Sequence, residues 1–135
     1  MALQLSVAVR NARLDSIETT IGASAVMHIL SGSMPANCAT AESGTLLATI
    51  GLPSDWMAAA SSGTKALSGT WQDLTADATG TAGYFRVYDT SETTCHIQGE
   101  VTDTAGAGPM KLSSTAIVSG QPVTIATFAI TDGNA

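Results

Sequence analysis

Hydrophobic and polar positions fall into two textures along this chain. From Leu3 to Gly22 apolar residues recur at helical spacing, with Val7, Leu14 and Ile21 on one face and Leu3, Arg10 and Ile17 beside them. That period predicts an amphipathic helix over 4–21. Ala8, Arg10, Ala12, Arg13, Leu14 and Glu18 are good helix formers, and Gly22 is the expected stop. With Leu5 and Val9 added, the stripe is broad for so short a helix. It is suited either to packing on the body of the protein or to docking elsewhere as an arm.

After Gly22 short apolar or alternating runs are separated by Gly, Pro, Asn and Ser, the texture of an all-β chain. Strands are predicted at 25–31, 45–50, 65–71, 83–89, 94–102, 111–118 and 122–131. Seven such strands suggest two packed antiparallel sheets. The expectation is therefore a single domain over 1–135: a helix at 4–21, then a jelly-roll-like antiparallel β-sandwich over 24–132. "SGSMPANCATAESG" reads as a long loop and "TDTAGAGPM" as a glycine-rich turn.

Side-chain alternation sharpens two of these strands. Phe85 and Val87 point one way, Tyr84, Arg86 and Tyr88 the other. In the next strand Cys95, Ile97 and Val101 are expected inward and His96, Gln98 and Glu100 outward, so Cys95 and His96 diverge. Joined by "DTSETT", the two strands predict a hairpin with one polar and aromatic face, either solvated or used for protein contact. The last strand is apolar or small on both faces: Val123, Ile125 and Ala129 on one, Ala126, Phe128 and Ile130 on the other. It is expected to be covered on both sides, by the helix or by a neighbouring subunit.

Composition narrows the partners. A net charge of −6 opposes the phosphate contacts that dominate nucleic-acid affinity, so DNA and RNA are not expected. Only 12% of residues are charged, about half the usual share. Such a surface suits either an assembly or a Ser/Thr-rich sandwich standing alone. No run approaches the roughly 18 apolar residues of a membrane span. The start "MALQLSVAVRNARLDSIE" lacks a basic segment followed by an unbroken apolar run, so folding in a reducing cytoplasm is expected. Cys38 and Cys95 then read as buried free thiols.

Catalytic chemistry is sparsely represented. His28 and His96 are the available bases, and His28 sits mid-strand, where a packed histidine is the ordinary case. "SGTK" at 62–65 matches S-x-x-K without the helix or companion motifs that chemistry needs. The His and Cys positions lack the close ligand pairs of structural zinc. Asp55 with Asp73 has no informative spacing. No cofactor, no metal and no enzymatic activity are expected. Trp56 and Trp71, each near an aspartate, are candidates for stacking on a sugar or a protein, although buried tryptophan is commoner.

Four stretches, "LSVAVRNARLDSIETTIGAS", "LPSDWMAAASSGTKALSGTWQD", "GTAGYFRVYDTSETTCHIQGEV" and "GQPVTIATFAITDGNA", resemble a group of small virion proteins of tailed bacteriophages, over nearly the whole length. Small proteins of this kind act as cement or decoration proteins on the outside of an HK97-like capsid, some with jelly-roll folds. The resemblance implies a virion location, the major capsid protein as partner, and self-association as a dimer or trimer. Arg10, Arg13, Trp56, Trp71, Tyr84, Arg86 and Tyr88 are the expected interface residues, because cations and aromatics are scarce elsewhere. The alternative is a carbohydrate-binding, tail or neck β-sandwich module of the virion that contacts host glycans or other tail proteins.

Overall fold

A computed structural model describes residues 3–134. The chain is mainly β, with one helix and a curled mixed sheet. Helix α1 spans Val7–Ile21 and starts later than residue 4 because Ser6 is its N-cap, extended at φ −65 and ψ 158. The Ser6 hydroxyl accepts from the Val9 amide at 3.2 Å. Gly22 closes the helix at φ 93, a conformation that glycine adopts without strain, and donates its amide to the Glu18 carbonyl at 2.8 Å. The buried stripe is narrow: Arg10, Leu14 and Ile21.

Among the described residues nine strands follow: β1 (Val26–Ser31), β2 (Leu46–Gly51), β3 (Thr64–Ala66), β4 (Gln72–Asp73), β5 (Gly80–Tyr88), β6 (Cys95–Asp103), β7 (Met110–Leu112), β8 (Ala116–Ile117) and β9 (Val123–Thr131). Five predicted strands correspond to β1, β2, β5, β6 and β9. Of the predicted 65–71 only 65 and 66 are strand, in β3, with β4 beginning just past its end; the predicted 111–118 breaks into β7 and β8. In the first, the Ser68 amide turns aside to the Trp56 carbonyl at 2.9 Å before Trp71 reaches β9, where its carbonyl accepts from Ile125 at 2.9 Å.

Two separate antiparallel sheets were expected; the strands instead form one hydrogen-bonded path, β2-β1-β5-β6-β7-β9-β3, with β4 on β9 and β8 on β5. The β6/β7 pair is parallel and the others are antiparallel. The path curls back on itself. β5 and β9 are not neighbours, yet Phe85 meets Phe128 edge-on at 5.4 Å. At the β2 end, the Thr49 amide donates to Asp73 of β4 at 3.1 Å, which brings the path's start to β9's partner. Met27, Ile29, Leu47, Ile50, Val87, Met110 and Leu112 fill the space enclosed.

Among the described residues four register shifts interrupt the pairing, and those in β9 and β6 change how the predicted faces read. Between β7 and β9 the pairing moves from Lys111↔Thr127 to Leu112↔Ile125, so Ala126 is extra. Burial accordingly passes from Val123 and Ile125 to Phe128, with Ala126 and Ala129 exposed. β9 is therefore one-sided, not covered on both faces as expected; a bulge reproduces the two-faced apolar pattern. Between β5 and β6 the pairing moves from Val87↔Ile97 to Tyr88↔Cys95. His96 is the extra residue, and Cys95 turns to the Tyr88 side rather than inward with Ile97.

Candidate functional site

The face of β5 carrying Tyr84, Arg86 and Tyr88 is not open. The loop between β1 and β2, residues 32–45, lies across it as a strap. Tyr84 donates its hydroxyl to the Ser43 carbonyl at 2.6 Å and accepts from the Ser43 amide at 3.0 Å. Arg86 donates from Nη2 to the Asn37 carbonyl at 3.2 Å and to Gln98 Oε1 at 2.9 Å. Gln98 in turn donates to the Pro35 carbonyl at 2.8 Å. The hairpin alternation had placed Tyr84, Arg86, Tyr88, His96, Gln98 and Glu100 together; the register pairs Tyr84 with Glu100 and Arg86 with Gln98, but its shift takes His96 out of the set, to line a hollow with Ile17 of α1. The chain's own loop covers Tyr84, Arg86 and Gln98, while Glu100 stays exposed.

At one end of the strap His28 is bracketed by carboxylates. Its Nδ1 lies 3.0 Å from Glu42 Oε2 on the strap and its Nε2 lies 3.0 Å from Glu92 Oε1 on the hairpin turn. Carboxylates only accept, so both bonds are made together only by the doubly protonated ring. Tyr88 stacks on His28 at 4.7 Å and donates to Glu42 at 2.8 Å. Burial raises the Glu42 carboxyl, but the His28 and Tyr88 bonds outweigh it and hold the group below its ordinary value. Burial pushes the Tyr88 phenol up to about 12, with the Glu42 carboxylate adding to the rise against the opposing Arg86. With both ring nitrogens engaged, His28 pins strap and turn together.

A second polar cluster seats the helix. Lys65 of β3 is 2% exposed, and its Nζ donates to Asp15 Oδ1 at 2.8 Å and to the Ala58 carbonyl at 2.9 Å, with Glu18 Oε2 at 3.1 Å. Burial lowers the ammonium's pKa; the two carboxylates more than offset this and leave it raised. Lys65 in turn draws the Asp15 carboxyl below its ordinary value. Arg10 donates from Nη1 to the Asp132 carbonyl at 3.3 Å, and Arg13 Nε lies 3.3 Å from Asp132 Oδ2.

Of the seven residues expected at an interface, Arg13 alone has an exposed side chain, at 55%. Arg10, Trp56, Trp71, Tyr84, Arg86 and Tyr88 are buried within the chain. Trp56 donates its indole N–H to the Gly22 carbonyl at 3.0 Å and Trp71 donates to the Trp56 carbonyl at 3.1 Å. Neither presents a ring face for stacking on a sugar. Sequence reasoning missed Glu42, Glu92 and Lys65. Asp15 and Glu18 carried a signal, since their i, i+3 spacing aims both at one partner; nothing in the strap announced its target.

Two cavities adjoin these clusters. One of about 460 Å³ opens beside Asp15, Glu18, Asp55, Met57 and Lys65. The other, about 390 Å³, is a more apolar groove between β6 and β9 over Ile17, Phe85, Ile97, Phe128 and Ile130. Among the described residues no helix is long and apolar enough to cross a membrane. Comparison with protein-family models, curated proteins and solved structures finds no match.

Proposed function

We propose that this chain is a structural protein of a tailed-bacteriophage virion: a cement or decoration protein that binds the outside of an HK97-like capsid and stiffens it by bridging major capsid protein subunits, as a dimer or trimer. The curled sheet serves as its jelly-roll-like body, and it acts through shape and surface, with no reacting group. The sequence resemblance supplies the family. The structural observation that carries the reading is where apolar surface lies. Of six large apolar side chains left exposed among the described residues, Leu3 (73%), Val7 (48%) and Val9 (46%) fall in one short segment. Exposed apolar side chains gathered on one short arm suit a segment that a partner encloses; Val7 and Val9, two positions apart in α1, point to different sides of it. Arg13, on the same helix, adds a charge for orientation.

Many copies of a modest contact are sufficient for such a role. An interface of roughly 1,000 Å² is weak alone, but on a symmetric shell opening one seam breaks several contacts at once. The test is to add purified protein to expanded capsids of the encoding phage and image them. Density on the shell with raised resistance to heat is expected, together with loss of occupancy in the Leu3→Ser, Val7→Ser, Val9→Ser variant. Bare shells, or density confined to tail or neck, would overturn the cement role.

A further inference from the structure

Cys38 and Cys95 are far apart in sequence, yet the fold brings them together under the strap. The register shift at His96 turns Cys95 toward Tyr88 and Arg86. On the strap, Cys38 follows Asn37, whose carbonyl is held by Arg86 at 3.2 Å. The Asn37 side chain accepts the Ala39 and Thr40 amides at 3.0 Å each, which fixes the turn around Cys38. Pro35 is tied to Gln98 of β6 at 2.8 Å. Two independent hydrogen bonds thus anchor this part of the strap over Cys95, whose thiol donates to the Ile97 carbonyl at 3.5 Å and lies near enough to Cys38 for that thiol to act on its ionisation. Both cysteines are free and half-buried, within reach of a small oxidant.

We infer that Cys38 and Cys95 are a disulfide-forming pair, reduced while the chain is in a reducing compartment and joined once it meets an oxidising one, so that the bond latches the strap onto β6. This inference is independent of the capsid role. The oxidant is a small-molecule disulfide such as oxidised glutathione. One protein thiolate attacks a sulfur of that disulfide, breaks its S–S bond and expels one glutathione thiolate. The other cysteine then loses its proton to solvent and attacks the mixed disulfide, expelling the second. Two protein thiols are oxidised and one glutathione disulfide is reduced to two thiols. Arg86 lies beside the pair with a buried Nε that has no hydrogen-bond partner, so a cation faces the sulfur as it ionises. Burial and the adjacent Cys38 thiol push Cys95 upward, so closure at neutral pH is slow and quickens in alkali.

The experiment incubates the folded full chain with oxidised glutathione, traps residual thiols by alkylation in denaturant and measures intact mass without reductant. The expected product is a monomer lighter by two hydrogen atoms, with no alkylated thiol and a Cys38–Cys95 cross-link in its peptide map. Its Tm is expected to rise by about 10 °C, reversibly with dithiothreitol, because closing a loop of this size restricts the unfolded chain. Cys38→Ser and Cys95→Ser should each stop at one glutathione adduct. Wild-type protein that keeps both thiols free, takes two adducts, or links to a second copy would overturn the pairing. That readout needs no variant to fold.

Discussion

Trp71 shows what a single side chain does here. It is 1% exposed, lies 5.8 Å from Trp56 and 5.3 Å from Phe128, and donates to both the Trp56 and Ser68 carbonyls. Truncation would open a cavity at the junction of both turns of the sheet path and leave two carbonyls short of a donor. Trp71→Ala is expected to lower unfolding free energy by about 3–5 kcal/mol in urea titration. A loss under about 1 kcal/mol would mean that this aromatic cluster is not the centre of the core. The aspartate beside Trp71 suggested an exposed stacking site, but Asp73 turns out to cap the Thr49 amide across the sheet. A short sequence window shows the neighbour and not its target.

At the scale of elements, the helix and the strap are the parts whose positions depend on a few polar anchors. Gly63 sits where α1 meets β3 at φ +74, and a Cβ there would run into the Arg10 guanidinium. Its amide also donates to Asn11 Oδ1 at 2.9 Å, so the helix is gripped from Arg10 through Asn11. Gly63→Ala is expected to cost about 1–3 kcal/mol and to speed amide exchange across Val7–Ile21 before the strands. Uniform acceleration across the chain would show instead that helix and sheet open together. Alternation correctly put Tyr84, Arg86, Gln98 and Glu100 on one face, because that pattern is local. The bulges at His96 and Ala126 were hidden, since one inserted residue leaves every pairwise spacing on either side intact.

For the whole molecule, charges are few and several are committed to internal bonds, so stability should follow their titration. Asp15 and Glu42 are held below their ordinary values of 3.8 and 4.5, Asp15 chiefly by the Lys65 bond and Glu42 by His28 and Tyr88 against burial. A depressed carboxyl contributes stability that is complete above its unfolded value and lost as pH falls through the folded one. Lys65 is raised above 10.5, so its contribution is complete below that value and lost as pH rises through the folded one. Tyr88, raised from 10.0 to about 12, adds to the alkaline loss because the folded state keeps a proton that the unfolded chain releases. These four groups are therefore expected to lower Tm as pH falls below about 5 and as it rises above about 9. A steady rise in Tm from pH 5 down to pH 3 would contradict the ion-pair seat.

Local chemistry in the sequence was sufficient for the mainly β class, the helix with its glycine stop, five of the strands and the polar hairpin face, because periodicity and capping act over a few residues. Only the tertiary structure decided that the strands form one curled path, that a loop roofs Tyr84, Arg86 and Tyr88, that both tryptophans are interior, and that the strap carries Cys38 to the neighbourhood of Cys95. Each of these is a contact between residues distant in sequence. Such contacts are set by how buried area and hydrogen bonds are shared over the whole chain, a balance that no local pattern records.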